Sequence, residues 1–447
     1  EAFFASFAPR DRIDVKDEDV LNVWMLWGRD HVNELQLLAN ERFTPEFGVR
    51  VKVNLVRQPD LLVLAASSGS LPDVALGVPG NMPFDLALRG AAHDLARLDG
   101  ADERIAQYHP GMLLPFRYDG GVYALPETVL FKVLFYRKDI LGELGLAVPD
   151  TWDDVYEMLP ALLQNRYNFY IDPKDFATLF HQLGAPLYEP GGLKSALHDP
   201  KAYDAFKAWT DLFQVYGLEK SVQSFYNQFR RGYLPIGIAD FNQFLQLTVA
   251  APELRGLWDI APIPGTRGED GSVERWSGGV ADGSQGGGAS MTAVMMFGGD
   301  AKKRELAWEF VKWYTSAEIQ TEFGLNLESF NGEQFRWNTA NVEAFARMPW
   351  KPDQLEVLLE QWRWYKDLPM VPGGYMTARE LQFAWIRTVI DGETPRAALE
   401  DAVREIDREL LRKQLEFGFA EADGTVRKAL DVPDVDRPWT GGMPDAR

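Results

Sequence analysis

The chain has 447 residues, of which 46% are hydrophobic and 25% are charged, a composition typical of a folded globular protein. Its length predicts two or three domains, or one unusually large one. The formal net charge of −20 argues against nucleic acid or an anionic membrane as the main partner, because both require a basic face. The chain contains no cysteine, which excludes disulfides, cysteine-ligated zinc and thiol catalysis.

The two ends of the chain carry no membrane-spanning pattern. No apolar run approaches the roughly 18 residues that a transmembrane helix requires. The first seven residues lack a charged n-region and a long h-region, so we do not expect them to be an intact signal peptide. Residues 421–447 are rich in Asp, Gly and Pro, and we expect a tail that either follows the surface or is loosely held.

Strands and helices alternate at the start of the chain. The predicted elements are a strand at Val20–Leu26, a helix at His31–Phe43, a strand at Val49–Val56, a helix at Leu61–Ala66 and a strand at Leu71–Val78. This order predicts a parallel sheet, whose ligands bind outside the carboxyl ends of the strands. The loops so placed carry Trp27, Arg29, Asp30 and Asn81, which are candidate ligand-binding residues.

The segment Gly121–Leu141 predicts a crossing between two lobes. Two β-rich runs, Val122–Leu125 and Val129–Tyr136, flank Pro126. Because proline cannot donate to a strand ladder, Pro126 is expected to separate two strands. Helical patterns follow, and Thr151 and Asp154 have the spacing of a capping box. A second proline-broken crossing is predicted at residues 262–264.

Further candidates follow in the middle of the chain. A strand at Leu234–Ala239 delivers Asp240 and Phe241 at its end, although Asp240 fits equally well as the N-cap of a helix. Trp276 is either an edge anchor or a cleft platform, and it precedes Gly278–Gly288, a stretch with six glycines that predicts a flexible loop.

The C-terminal third is predicted to be mostly helical. A glycine turn at residues 372–374 presents Tyr375 and Arg379 at the start of a helix, and both are candidate ligand-binding residues. Thr394 and Pro395 have the form of an N-cap followed by proline at the first helical position.

The motifs of common catalytic sites are absent. The five histidines lie far apart in sequence, and no HExxH pair, G-x-S-x-G elbow or P-loop occurs. We therefore predict no metal, no cofactor and no catalytic residue.

Aromatic residues and carboxylates are the positive signal. A sugar ring has an apolar face that packs on an aromatic platform and hydroxyls that bind carboxylates, amides and guanidinium groups. The strand-end loops supply these residue types, and Glu127 adds an acid directly after Pro126. Most of the fourteen tryptophans, including Trp209, Trp308 and Trp313, have the helical spacing of core residues.

Three segments carry a family resemblance. Tyr123–Glu127, Phe135–Leu141 and Pro149–Asp153 resemble the crossover of the family 1 extracellular solute-binding proteins, the sugar-capturing components of bacterial ABC importers. The resemblance implies an α/β, two-lobed periplasmic-binding-protein-like (type II) fold with an interlobe ligand cleft and hinge crossings. Lobe 1 would span 18–126 and 259–330, and lobe 2 would span 127–258 and 331–420. The family often places a ligand-contacting acid at the position of Glu127, and its segment matching residues 372–379 faces the cleft.

The resemblance also implies a function. The protein would be a monomer outside the cytoplasm that captures a carbohydrate, expected to be an oligosaccharide, and delivers it to an ABC transporter permease. An export signal or lipid-bearing cysteine would have been removed or would lie upstream. Two alternatives stay open: a glycoside hydrolase that uses two acids such as Glu127 and Asp240, and a same-fold binding protein for a polyamine or a phosphorylated glycerol.

Overall fold

The computed structural model describes residues 20–268, 270–278, 291–423 and 425–444. The strands are β1 Val20–Met25, β2 Arg50–Leu55, β3 Val74–Pro79, β4 Arg117–Tyr118, β5 Gly121–Val122, β6 Leu125–Val129, β7 Lys132–Arg137, β8 Phe169–Tyr170, β9 Ile236–Asp240, β10 Trp258–Ala261, β11 Thr266–Arg267, β12 Val273–Glu274 and β13 Met291–Met296. Apart from Gly278, the predicted glycine loop lies outside the described residues.

Helices fill the connections between the strands. They are α1 Arg29–Leu38, α2 Thr44–Phe47, α3 Asp60–Ser68, α4 Met82–Leu88, α5 Ala101–Ile105, α6 Pro110–Leu113, α7 Lys138–Leu144, α8 Trp152–Gln164, α9 Ala177–Gln182, α10 Pro200–Gln214, α11 Phe225–Arg231, α12 Asn242–Ala250, α13 Ala301–Tyr314, α14 Ala317–Asn331, α15 Val342–Ala346, α16 Pro352–Arg363, α17 Tyr375–Val389 and α18 Pro395–Glu416. A π-helical turn at Ala39–Phe43 joins α1 to α2. The predicted capping box of Thr151 and Asp154 begins α8, and the side chain of Thr394 caps α18. Among the described helices, none combines the length and apolarity needed to cross a bilayer.

The first sheet has the strand order β2-β1-β3-β13-β6. Strand β1 pairs in parallel with β2 and β3, as the alternation of strands and helices predicts. Strand β13 returns antiparallel between β3 and β6. The carboxyl ends of β1, β3 and β6 therefore lie at one edge of this sheet, together with the start of β13.

The second sheet has the order β10-β7-β9-β8. Strands β7 and β9 are antiparallel, so that Lys132, the first residue of β7, lies opposite Asp240, the last residue of β9. Strand β8 runs parallel to β9 and ends at the same edge. The sheet thus gathers residues from three distant parts of the sequence at one edge.

The chain passes from the first sheet to the second between Val129 and Lys132, and returns between Ala261 and Met291. The expectation that Pro126 separates two strands is wrong, because Pro126 lies inside β6 and faces Ala293 of β13 beside a register shift. Strand β6 is an edge strand, where a missing backbone N–H is tolerated.

Two hydrophobic cores accompany the two sheets. The first core covers the first sheet and one face of the second sheet, and it includes Trp308 and Trp313. The second core covers the other face of the second sheet and includes Trp209 and residues of α17 and α18. These three tryptophans are buried, as their helical spacing predicted.

The C-terminal tail follows the surface, which was one of the two expectations. Leu430 is buried in the second core and pairs with Gly191. Further along, Trp439 packs against the first core, and its ring centroid lies 5.2 Å from that of His109. The backbone N–H of Trp439 donates to the carbonyl oxygen of Arg363 at 2.9 Å. The tail is therefore attached to both cores.

Candidate functional site

A cavity of about 320 Å³ lies between the carboxyl end of β3 and the segment that leads into α17. We call it the cleft cavity. One wall comes from the first sheet and α4, through residues such as Asn81, Phe84 and Met291. The opposite wall consists of residues 367–375 with Tyr188, Thr377, Ala378, Lys413 and Phe417. Segments packed around both sheets thus line this one cavity.

The cleft cavity combines aromatic and charged side chains. The aromatic residues are Phe84, Phe176, Tyr188, Tyr375 and Phe417, and the charged ones are Asp85, Arg89, Asp367 and Lys413. Flat rings beside carboxylate, guanidinium and amide groups suit a ligand with both apolar faces and many hydroxyl groups.

Two predicted residues line the cleft cavity, Asn81 and Tyr375. Asn81 follows β3 and is the N-cap residue of α4. Tyr375 is the first residue of α17, is 45% exposed, and donates its hydroxyl to Glu409 of α18. The preceding glycine turn is required here: Gly373 has φ +87°, and a Cβ atom on it would come within 3.0 Å of the Glu409 carbonyl oxygen. The glycine turn therefore presents Tyr375 as predicted.

Arg379 stands one turn further along α17 and lines neither this cavity nor the second one described below. It is exposed, and its guanidinium group lies over the ring of Phe383 at 5.4 Å. Arg29 and Asp30 are exposed at the start of α1 and line neither cavity. Contact of these three residues with a ligand stays a prediction.

Trp27 is half-buried beside other aromatic rings. Its ring stacks on His31 at 5.3 Å and meets Trp337 edge-on at 5.0 Å. Its indole N–H donates to Glu127 at 3.0 Å. Trp27 therefore covers the carboxylate of Glu127 and lines neither cavity.

Glu127 is buried, with 2% of its surface exposed, and four protein groups donate to its carboxylate. Oε2 accepts from the indole of Trp27, from the backbone N–H of Gly77 at 2.7 Å and from the hydroxyl of Thr292 at 2.8 Å. Oε1 accepts from the hydroxyl of Tyr314 at 2.8 Å. Burial raises the pKa of the Glu127 carboxyl, and these four hydrogen bonds oppose the rise.

The burial of Glu127 corrects the expectation that it faces the cleft. All four donors come from other parts of the chain, and together with the burial of the side chain they keep the carboxylate away from a ligand in the cleft. Gly77 makes this packing possible, because its φ is +70° and a Cβ atom there would lie 2.8 Å from the Trp27 ring. The carboxylate instead joins β6, β3, β13, α13 and the loop after β1.

Phe241 and Trp276 are also buried, and the expectation that they face a ligand is corrected by their packing. Phe241 is fully buried and stacks on Phe131 with ring centroids 5.0 Å apart. Trp276 is 4% exposed and meets Trp364 edge-on at 5.2 Å. Of the two alternatives for Trp276, its burial favours the anchor.

Asp240 lines a second cavity, of about 450 Å³, at the carboxyl ends of β8 and β9. We call it the acidic cavity. It is lined by Lys132, Tyr170, Asp172, Lys174, Asp175, Val222, Gln223, Ser224, Phe225, Ile238, Ala239, Asp240 and Gln243. The alternative of Asp240 as an N-cap is not realised, because α12 begins at Asn242 without a side-chain cap.

Sequence reasoning missed Lys132, Asp172 and Asp175, which share this cavity with Asp240. The sequence could have indicated these three residues only by their position, because each stands at or shortly after a strand end on the same edge of the second sheet. Among the described residues, no group of three or more histidines and carboxylates is arranged to hold a metal ion.

Comparison with known proteins agrees with this architecture. A sequence profile of the bacterial extracellular solute-binding proteins matches residues 29–321, more than half of the chain. The fold is similar to that of the sugar-binding protein MalE from Xanthomonas citri, with a TM-score of 0.68, 19% identity, and coverage of 90% of this chain and 100% of that one.

Two further solved structures are similar. The cyclic alpha-maltosyl-1,6-maltose binding protein from Arthrobacter globiformis has a TM-score of 0.68 and 18% identity, covering 88% of this chain and 99% of that one. An ABC transporter solute-binding protein from Thermotoga lettingae TMO, bound with alpha-D-tagatose, has a TM-score of 0.61 and 20% identity, covering 88% and 100%. These matches confirm the two-lobed α/β fold, and the profile confirms the family resemblance. The chain belongs to the bacterial extracellular solute-binding protein family.

Proposed function

We propose that this protein captures a carbohydrate, preferably an oligosaccharide, in the cleft cavity and delivers it to the permease of an ABC importer. The observation that carries the proposal is the composition of that cavity, in which aromatic rings and charged groups come from both walls. The sugar-binding relatives of the same fold support it.

The cavity walls supply the two kinds of contact that a sugar requires. Rings such as Tyr375 and Phe417 offer flat apolar surfaces to the C–H face of a pyranose. Asp85 on α4 and Arg89, the C-cap residue of that helix, offer charge-assisted hydrogen bonds to its hydroxyl groups. A ligand between the walls would hold them together, which favours closure of the lobes around it.

The lobes that close are those expected from the sequence, 18–126 with 259–330 and 127–258 with 331–420, followed by the tail, except that residues 127–129 belong to β6 and therefore to lobe 1. The two passages between the sheets are the hinges. We infer that the protein works outside the cytoplasm as a monomer, held at the cell surface by a lipid anchor or free in the periplasm.

Binding is favoured over glycoside hydrolysis. A glycosidase needs two carboxyl groups that flank the scissile bond. Of the pair considered from the sequence, Asp240 lines the acidic cavity, whereas Glu127 is buried under four hydrogen bonds and lines neither cavity. Incubation with oligosaccharides should therefore release no cleavage product.

A thermal-shift panel tests the proposal. Mono- and oligosaccharides are compared with spermidine and glycerol phosphate, and we expect an oligosaccharide to raise the melting temperature. A ligand at 100 times its dissociation constant stabilises the folded state by about 2.7 kcal/mol, which is easily measured. Stabilisation by glycerol phosphate with no response to any sugar would refute the carbohydrate assignment.

Tyr375→Ala tests the location of the sugar. Because this side chain lines the cleft cavity and is largely exposed, its loss should weaken the sugar found in the panel at least tenfold, about 1.4 kcal/mol, and leave the unliganded protein stable. Ile386→Ala is the matched control, since it lies on the same helix, is 42% exposed and lines neither cavity. Calorimetric titration of both variants decides the matter, and equal affinities would place the sugar elsewhere.

A further inference from the structure

We propose that a latch between the two lobes lies beside the cleft cavity and holds the lobes together before a ligand binds. Its lobe 1 side consists of α4 and the hairpin of β4 and β5. Its other side is the segment that follows α18, residues 417–423 and 425–428, which we call the C-terminal loop. Three contacts connect the two sides, and each is made by protein groups alone.

The first contact of the latch lies at the wall of the cleft cavity. Arg89 is the C-cap residue of α4, Phe417 is the C-cap residue of α18, and both line the cavity. The guanidinium group of Arg89 lies 5.9 Å from the centroid of the Phe417 ring, within the range of a cation–π interaction. The ends of two helices from different lobes are therefore in contact.

The second contact of the latch is aromatic. Tyr118 of β4 meets Phe419 edge-on, with ring centroids 6.3 Å apart. Phe419 is buried in the second core, and Tyr118 packs against the same core although it belongs to lobe 1. The Tyr118 ring also lies 5.6 Å from the ring of Phe84, which lines the cleft cavity. An apolar contact thus continues from the cavity wall to the second core.

The third contact of the latch is an ion pair between Asp119 and Lys428. Asp119 and Gly120 have φ of +52° and +77°, as the central residues of a type I′ hairpin turn do, so the turn of β4 and β5 presents the carboxylate. The backbone N–H groups of Arg427 and Lys428 donate to the carbonyl oxygen of Phe419 at 2.8 and 3.2 Å, which holds the lysine within the C-terminal loop. The side chains of Lys428 and Asp119 are 49% and 43% exposed, so that salt screens the pair.

These contacts can hold the lobes together and still be broken. An exposed ion pair shifts an equilibrium by up to about fivefold, and an edge-on aromatic pair by up to about tenfold. Because the three contacts exist only while the lobes are together, they shift the equilibrium from the open towards the closed arrangement. A ligand can enter or leave the cleft only when they are broken. The latch therefore slows both steps, a consequence that rests on the function proposed above.

Interlobe distances in the unliganded protein test the latch. Since the chain has no cysteine, spin labels can be placed at Leu64→Cys in lobe 1 and Val215→Cys in lobe 2, where both side chains are exposed. In this labelled protein at low ionic strength, Lys428→Glu replaces the ion pair by two like charges. Double electron–electron resonance should then show a longer distance population, with the ratio of open to closed forms raised at least about threefold.

Lys207→Glu is the matched control for the charge reversal. Lys207 is 48% exposed, nearly as much as Lys428, but its partner Asp211 lies on the same helix. Its substitution should leave the interlobe distances unchanged. A distance distribution in Lys428→Glu that is identical to that of the control would overturn the proposal.

Asp119→Asn isolates the ion pair from other effects of the substitution. Asparagine tolerates a positive φ, so this variant removes the charge without straining the turn. In its background, Lys428→Glu should change the ratio of open to closed forms by less than about 1.5-fold, because the two residues act through each other. A full effect in that background would show that Lys428 acts elsewhere and would also overturn the latch.

Stopped-flow kinetics with the sugar found in the panel tests the consequence for ligand exchange. Lys428→Glu should raise both the association and the dissociation rate constants at least about threefold, because both steps require the latch to open. Unchanged rate constants would overturn this consequence. Because the distance measurement contains no sugar, its failure leaves sugar capture intact, and failure of the sugar panel leaves the latch intact.

Discussion

Two carboxylates on strands, Glu127 in the middle of β6 and Asp240 at the end of β9, have opposite surroundings. The carboxylate of Glu127 accepts hydrogen bonds from four donors in distant parts of the chain. Asp240 ends a strand of the second sheet and faces a cavity, with no hydrogen bond from the described residues. Both are acids beside a passage between sheets, and sequence reasoning assigned both to the ligand. The difference shows that hydrogen-bond donors from the rest of the chain decide the role of such an acid. With donors it stabilises the fold, and without them its carboxylate is available to a ligand.

The largest expected effect concerns Glu127→Ala, which should lower the free energy of unfolding by about 3–5 kcal/mol. The substitution leaves buried donors, the indole of Trp27 and the hydroxyl of Tyr314 among them, without an acceptor. Glu127→Gln, which keeps one acceptor oxygen, should lose less. Denaturant unfolding measures all of this, with the exposed Glu143→Ala as control. If the free energy of unfolding falls by less than about 1 kcal/mol, Glu127 contributes no more to stability than is expected of Asp240, and the distinction between the two acids is wrong.

His109 extends the comparison to a buried base with internal partners. Its Nδ1 accepts from the N–H of Gly111 at 2.9 Å, and its Nε2 donates to the carbonyl oxygen of Arg363 at 3.0 Å. Burial lowers the pKa of His109 to about 4, against which the Arg363 hydrogen bond acts. The unfolded chain therefore binds more protons below pH 6.5, and the stability contributed by neutral His109 is lost as the pH falls from 6.5 towards 4.

Acidification from pH 7 to pH 5 should accordingly cost about 2 kcal/mol through this residue. His109→Asn, which retains an acceptor for the Gly111 N–H, should show a weaker dependence of the melting temperature on pH than wild type. The exposed His198→Asn is the matched control. Parallel profiles for His109→Asn and wild type would show that His109 is not held neutral.

The smallest expected effect concerns Asp240, the second of the two carboxylates compared above. Asp240→Asn should change the free energy of unfolding by less than about 1 kcal/mol, or raise it. Burial, followed by the charges of Asp172 and Asp175, raises the pKa of Asp240, whereas Lys132 lowers it. A raised carboxyl pKa means that stability falls as the pH rises through its titration, and the amide removes that loss. A destabilisation comparable to that of Glu127→Ala would show that Asp240 is structural.

Local patterns predicted the elements better than they predicted the site. The alternation of apolar residues in β2, the capping box at Thr151 and the glycine turn before Tyr375 depend on neighbours in sequence, and the structure contains all three. The prediction about Pro126 was wrong because a proline is tolerated within β6 only where β6 is an edge strand. Only the complete sheet determines which strand lies at the edge.

The site depended on contacts between distant residues. Tyr314 is 187 residues from Glu127, and no local pattern relates the two. Likewise, Lys132 meets Asp240 through the register of two strands and Asp175 through a loop. Residue type and a strand end could therefore nominate Asn81, Tyr375 and Asp240, but could not exclude Glu127 or Phe241.

The attachment of the tail to both cores has a mechanical consequence. Leu430 is buried in the second core and Trp439 packs on the first, and the eight residues between them give nine Cα–Cα steps. A fully extended segment of that length spans at most about 30 Å, which is the greatest separation of the two anchors while both stay attached. Because the first core covers the first sheet as well as one face of the second, we infer that this segment limits how far the first sheet can move from the second core when the cleft opens.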